Sequence, residues 1–185
     1  MRLFVALNLP QNVRQELWDA TAPLRALGLP VRWVREDGLH LTLKFLGEVA
    51  AEREAELVAA LGRAAAGARP VSLVVRGAGV FPDFRRPRVV WLGVEGAPAL
   101  ELLQHRVEQE FGPLGFPPEG RPFRPHLTLG RAAREARPRE LAGLEAALGR
   151  VRVEAAALAE TLDLMESTLK RDGAVYQVRH SERLS

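Results

Sequence analysis

The chain has 185 residues, 47% hydrophobic and 26% charged, which is ordinary globular usage and enough to bury a core as one domain or two small lobes. It contains no cysteine, which excludes disulfides, thiolate metal sites and a cysteine nucleophile. The net charge is +3, and only Lys44 and Lys170 are lysines among 26 basic residues; the arginine fork suits phosphate partners, although codon bias also enriches arginine.

The apolar run from Arg2 to Asn8 predicts a buried strand, and it stops too soon for a signal peptide. Nothing approaches a membrane span, so a cytoplasmic protein is expected. Pro10 opens a helix whose apolar stripe is Val13, Leu17, Ala20, Leu24 and Leu27; Pro23 should kink its last turn, and Gly28 with Pro30 ends it. Residues 31–34 predict a short strand, and Asp37-Gly38 turns into a strand over 39–46 with Leu41, Leu43 and Phe45 on its buried face. An Ala-rich helix follows over 50–66. Residues 71–75 predict a strand that can run on to Phe81, with a bulge near Gly77 and Gly79. The loop 82–87 precedes a strand over 88–94, a helix over 97–111 and a Pro/Gly-rich loop over 112–125. A strand over 126–130, a helix over 138–148 and a strand over 151–155 come next. Residues 157–167 fit helix or strand, and Asp172-Gly173 forms a hairpin turn into a last strand over 175–178. The fold class is α+β.

One stretch occurs twice. His40-Leu41-Thr42-Leu43 recurs as His126-Leu127-Thr128-Leu129. Alternation with leucine is the period of a half-buried strand, so each His points the same way as its Thr. The chain holds only four His and five Thr, which makes the pairing more telling than its length suggests. Ala59-Ala60-Leu61-Gly62-Arg63 recurs as Ala146-Ala147-Leu148-Gly149-Arg150 at nearly the same spacing. Both matches suggest a duplicated unit of about 86 residues. The expectation is a single domain of two repeats, 2–87 and 88–180, each running roughly β-α-β-β-α-β. Two His-x-Thr strands facing one cleft would offer two imidazoles that titrate near neutrality and two hydroxyls that donate to anions. That is equipment for acid–base chemistry on a phosphate.

These residues carry a family resemblance. The paired motifs, His40 to Gly47 and Pro125 to Arg131, are similar to those of the 2H phosphoesterase superfamily. The opening Arg2 to Pro10, with Ser167-Thr168-Leu169 and Val175-Tyr176, resembles its RNA 2′,3′-cyclic phosphodiesterase branch, also called the bacterial 2′-5′ RNA ligase family. The resemblance implies a bilobal α+β fold of two pseudo-twofold-related lobes of mostly antiparallel sheet, with helices outside and the cleft between. It implies metal-free catalysis with no cofactor, on RNA ends or nucleotides bearing a 2′,3′-cyclic phosphate. Some members join tRNA halves through a 2′-5′ link. His40 and His126 are then catalytic, and Thr42, Thr128 and Arg131 bind the substrate phosphate. The product is expected to be the 2′-phosphomonoester, with His126 as base toward water and His40 as acid toward the leaving 3′ oxygen. A monomer is expected.

Two points complicate the carry-over. On a regular strand Arg131 would point away from His126 and Thr128; either Gly130 breaks the strand, or Arg121 or Arg124 takes the phosphate. The first motif has Phe45 where the second has Arg131, and Lys44 is its nearest cation. Trp18, Trp33 and Trp91 are assigned to the core, Phe123 is a candidate base stacker, and His105 and His180 are plain solvated residues. Arg85, Arg86 and Arg88 are read as a solvated turn, with a basic rim for RNA as the sharper alternative. The rival functions are a 2′-5′ ligase using the same histidines in reverse, a non-catalytic nucleotide-binding module, and a two-His metal hydrolase, for which neither motif carries a carboxylate or third His.

Overall fold

The computed structural model describes residues 1–185. In chain order the elements are β1 (Arg2–Asn8), α1 (Gln11–Ala20), α2 (Ala22–Arg25), β2 (Val31–Trp33), β3 (His40–Glu48), α3 (Glu54–Ala65), β4 (Val71–Phe81) and β5 (Val89–Gly96). They continue with α4 (Pro98–Phe111), β6 (His126–Ala132), α5 (Leu144–Arg150), β7 (Glu154–Ala159), β8 (Thr161–Lys170) and β9 (Gly173–Arg183). No helix is long and apolar enough to cross a membrane.

Every strand pairing is antiparallel, in the order β7-β4-β5-β6-β3-β1-β8-β9, with β2 beside the end of β6. The sheet is strongly curled, and helices pack on one of its faces over one large apolar core. The order is symmetric about its middle. Each half is four strands, and the innermost strand of each carries a His-x-Thr motif. The halves meet at one residue pair, Leu41 opposite Leu127. They are not the two halves of the sequence: β4 pairs with β5, whereas β8 pairs back to β1. The lobes therefore exchange strands: β1 and β3 are completed by β8 and β9 from the C-terminal part, and β5 and β6 by β4 from the N-terminal half, with β7 at the edge.

Most elements follow the sequence pattern, and the departures have local causes. Helix α1 stops at Ala20, where the Thr21 hydroxyl donates to the Leu17 carbonyl at 2.8 Å, and Pro23 starts a separate turn instead of kinking one helix. The helix expected over 138–148 is split into a 3-10 turn, Pro138–Leu141, and α5, because Gly143 sits at φ +92° between them. The strand expected over 151–155 lies over Glu154–Ala159, where Ala155, Ala157 and Ala159 alternate inward. The ambiguous segment 157–167 is strand, shared between β7 and β8.

The main departure is in β3. Its partners on β1 run Leu41 with Leu7, Thr42 with Ala6, then Lys44 with Val5 and Phe45 with Phe4, so Leu43 is an extra residue. A bulge of one residue inverts every side chain beyond it. Lys44 therefore enters the core, 3% exposed, and Phe45, expected there, is 55% exposed on the same face as His40 and Thr42. The Lys44 ammonium is paired with Glu108 on α4 and donates to the Pro117 carbonyl at 3.1 Å, so it is not a phosphate cation of the first motif. It ties β3 to α4 and to the loop that leads into β6. Removing one partner of a buried pair strands the other charge. Lys44→Ala should therefore destabilise the fold by about 3 kcal/mol in urea unfolding, and Lys44→Ala/Glu108→Ala together by less than the two single changes added.

Candidate active site

Strands β3 and β6 cross at Leu41 and Leu127 in antiparallel register. His40 consequently lies opposite Thr128, and His126 opposite Thr42, on the face of the sheet away from the helices. Strand β6 repeats the irregularity of β3. Its register with β5 runs Thr128 with Trp91, then Gly130 with Val90 and Arg131 with Val89, so Leu129 is the extra residue. The burial sequence is the same in both strands: half-buried His, buried Leu, half-buried Thr, two buried residues, one exposed. The bulge turns Arg131 onto the face of His126 and Thr128, one residue before the position where Gly130 was expected to do it. Arg131 is close enough to His40 and Tyr176 for its charge to act on both. Arg121 and Arg124 stay exposed in the loop before His126.

Each imidazole is fixed from behind in the same way. His40 Nδ1 lies 2.7 Å from the Gly38 carbonyl, and His126 Nδ1 lies 2.7 Å from the Arg124 carbonyl. A carbonyl only accepts, so Nδ1 carries the hydrogen and Nε2 is the free nitrogen of each ring. The hydroxyls of Thr42 and Thr128 and the Arg131 guanidinium have no hydrogen-bond partner within the protein. The site therefore gathers two imidazole nitrogens and three donors around one cleft.

Aromatic rings wall both sides. Phe4 and Tyr176 stack against His40 with ring centroids at 4.9 and 4.8 Å, and Phe81 meets His126 edge-on at 5.0 Å. Trp91, expected in the core, lies on this face against Phe81 at 5.1 Å. It fits because position 79 is glycine: a Cβ there would sit 2.4 Å from the indole. Phe123 packs on the core instead of standing free for a base. His105 is exposed on α4, and His180 bonds Glu182 at 2.7 Å, both away from the cleft. Asn8 is a residue of the site that the sequence does not mark. It pairs with His40 across β1 and β3, and its amide donates to buried Asp163 at 2.7 Å. Its only sequence signal was the polar end of an apolar strand.

The two histidines differ in depth. Burial holds the His40 pKa down to about 4, against the bond to Gly38 and reinforced by the positive charge of Arg131 and by His126. His40 is neutral in the free protein at pH 7. Its folded pKa lies below its unfolded value, so its linkage term is absent above about pH 6.5 and destabilises the fold as pH falls toward 4. The melting-temperature advantage of wild type over His40→Gln should shrink across that interval. A constant difference would contradict the lowered pKa.

A curled antiparallel sheet with two facing His-x-Thr strands defines the two-histidine phosphoesterase class. Residues 13–169 match the family described as the 2′-5′ RNA ligase superfamily, and the chain belongs to it. Among similar proteins, the RNA 2′,3′-cyclic phosphodiesterase of Methanothermobacter thermautotrophicus is 35% identical over 95% of each chain. That of Escherichia coli K12 is 40% identical over 73% of this chain and 74% of its own. The crystal structure of TT0787 of Thermus thermophilus superposes with a TM-score of 0.82 at 31% identity, covering 100% of this chain and 98% of that one. E. coli LigT complexed with 3′-AMP gives 0.75 at 29% identity, covering 100% and 97%.

Proposed function

We propose that the cleft hydrolyses 2′,3′-cyclic phosphates at RNA ends or on nucleosides to 2′-phosphomonoesters, with His40 and His126 as the acid–base pair. The observation that carries this reading is the register of β3 against β6, which opposes each His to the other motif's Thr. A phosphate between them has one imidazole on each side and donors along both edges. The activity that the similar proteins are named for, and the complex of LigT with 3′-AMP, support the same substrate class.

The chemistry is an in-line displacement. Water attacks phosphorus opposite the 3′ oxygen; the new P–O bond forms as the P–O3′ bond breaks. One imidazole takes the proton of the water and the other supplies a proton to the 3′ oxygen. Thr42, Thr128 and Arg131 donate to the non-bridging oxygens as their charge grows. Burial keeps His40 neutral in the free protein, so its Nε2 lone pair is free to take the proton of the water, with the anionic phosphate beside it offsetting the cost of charging the buried ring, and His126 is left to donate one. This reverses the assignment expected from the sequence, and its cause is the packing of Phe4 and Tyr176 on the His40 ring. The exposed ring of Phe45, at the opposite end of the β3–β6 pair from Arg131, is available to stack on the terminal base. The two imidazoles and three donors supply each proton and charge that this displacement calls for, so the proposed reaction uses no metal ion. The symmetric strand order and the matching bulges support an origin in two repeats, 2–87 and 88–180.

The name of the matched superfamily keeps a second reading in view: the same histidines run in reverse, with a 5′-hydroxyl RNA end leaving or attacking in place of water. Incubating the protein with an RNA 2′,3′-cyclic phosphate and a 5′-hydroxyl RNA should give the 2′-phosphate as the main product, and a 2′-5′-joined product would favour the ligase. The hydrolysis should survive exhaustive chelation, and His40→Ala or His126→Ala should each lower its rate by roughly 10²–10⁴.

The division of roles has its own test. A nitrophenyl ester leaves without protonation, so only loss of the acid is tolerated on it. His126→Ala should recover selectively on a nitrophenyl phosphodiester, and His40→Ala should not. Recovery of His40→Ala instead would restore His126 as the base.

A further inference from the structure

Seven of the 24 arginines are held by acids, Arg63, Arg76 and Arg179 among them. Among the others, one group lies at one end of the cleft. Arg32 is exposed on β2 and pairs directly with Arg131 on β6, so both side chains leave the sheet on the same face. Two backbone bonds draw the neighbouring loops to this place: Ala132 N–H donates to the Arg88 carbonyl at 2.9 Å, and Ala133 N–H to the Pro30 carbonyl at 2.8 Å. Those loops carry Arg85, Arg86, Arg88 and Arg134. None of these five forms an ion pair. Two acids are near in sequence. The Asp83 carboxylate accepts from the backbone N–H groups of Arg85 and Arg86 at 2.9 and 3.1 Å, and Glu135 pairs with no cation.

Unneutralised guanidinium groups gathered in one place repel one another, and a polyanion relieves that repulsion. The chemistry of the site says which way such a polyanion runs. A 2′,3′-cyclic phosphate occupies the last ribose of a strand, so every other phosphate lies on its 5′ side. The Phe45 end of the cleft offers an aromatic face with Arg121 and Arg124 in the loop before His126, and the Arg131 end opens onto Arg32 and the larger group of five. We propose that Arg32, backed by Arg85, Arg86, Arg88 and Arg134, binds the backbone phosphates of an RNA strand 5′ to the reacting end. The preferred substrate is then an oligonucleotide, not a mononucleotide. This rests on the reading of the cleft as a cyclic phosphodiesterase site.

The test compares a six-nucleotide RNA ending in a 2′,3′-cyclic phosphate with a nucleoside 2′,3′-cyclic phosphate. Arg32→Ala should lower kcat/KM on the oligonucleotide about tenfold, leave the mononucleotide within about twofold, and reduce the salt dependence on the oligonucleotide by about one charge. Equal loss on both substrates would make Arg32 a ligand of the reacting phosphate and overturn the track, as would no loss on the oligonucleotide. A second arm measures binding of the same RNA, fluorescently labelled and 3′-phosphorylated, beside an acidic peptide of equal charge. Tighter binding of RNA that weakens in Arg32→Ala upholds the track even if wild type hydrolyses neither cyclic phosphate, in which case the proposed activity alone fails. Equal or tighter binding of the peptide overturns it.

Discussion

A β-strand alternates its side chains between two faces, and a single extra residue reverses everything that follows. The site depends on that reversal happening twice, three residues after each histidine. Without the bulge at Leu129, Arg131 would enter the core and the cleft would lose its fixed positive charge. Without the bulge at Leu43, Lys44 would stand in the cleft and Phe45 would be buried. The pair of irregularities converts two ordinary His-Leu-Thr strands into a surface with donors at one end and an aromatic ring at the other. Because the strands run antiparallel, the same irregularity in each delivers its cargo to opposite ends of the cleft.

The frame is symmetric and the chemistry is not. Both rings are oriented by a carbonyl two residues earlier in the chain, which leaves the same nitrogen free in each. What separates them is packing. His40 lies between Phe4 and Tyr176, while His126 meets only the edge of Phe81. A reaction that needs one imidazole to accept and the other to donate calls for two different environments. The aromatic residues supply most of that difference by excluding water from one ring more than the other, and the charge of Arg131 adds to it.

Much of the fold and the principal residues of the site were legible in the sequence, because strand alternation, helix punctuation and the paired motifs are written in residue types. The irregularity near Gly77 and the hairpin at Asp172-Gly173 each follow from a residue with a permissive backbone. The bulges were not legible. Leu43 and Leu129 are apolar residues among apolar residues, and regular alternation gave a chemically comfortable wrong answer, with Phe45 inside and Lys44 out. The correct answer requires Glu108, which is distant in the chain and unmarked as its partner. Trp91 was misassigned for a similar reason: its place depends on the absence of a side chain at Gly79, across a strand pairing that no local pattern announces. The exchange of β4 and β8 between the lobes is a matter of which edges meet, and short apolar strands look alike.

That exchange bears on the order in which the molecule can form. Helix α3 and the strands β4 to β7 occupy a contiguous stretch of chain and can begin to pair as soon as they are available. The half that holds His40 can begin with β1 against β3, but it is completed only when β8 reaches β1, and Tyr176 lies in β9, the last strand of all. Pairing the first strand with one about 160 residues later closes the longest loop in the fold, and such contacts form late because their entropy cost comes first. A chain still emerging from the ribosome therefore can hold His40 against Phe4 but not against Tyr176. The environment that distinguishes the two histidines is completed only as the final hairpin docks, so the protein acquires its full asymmetry in its last step of folding.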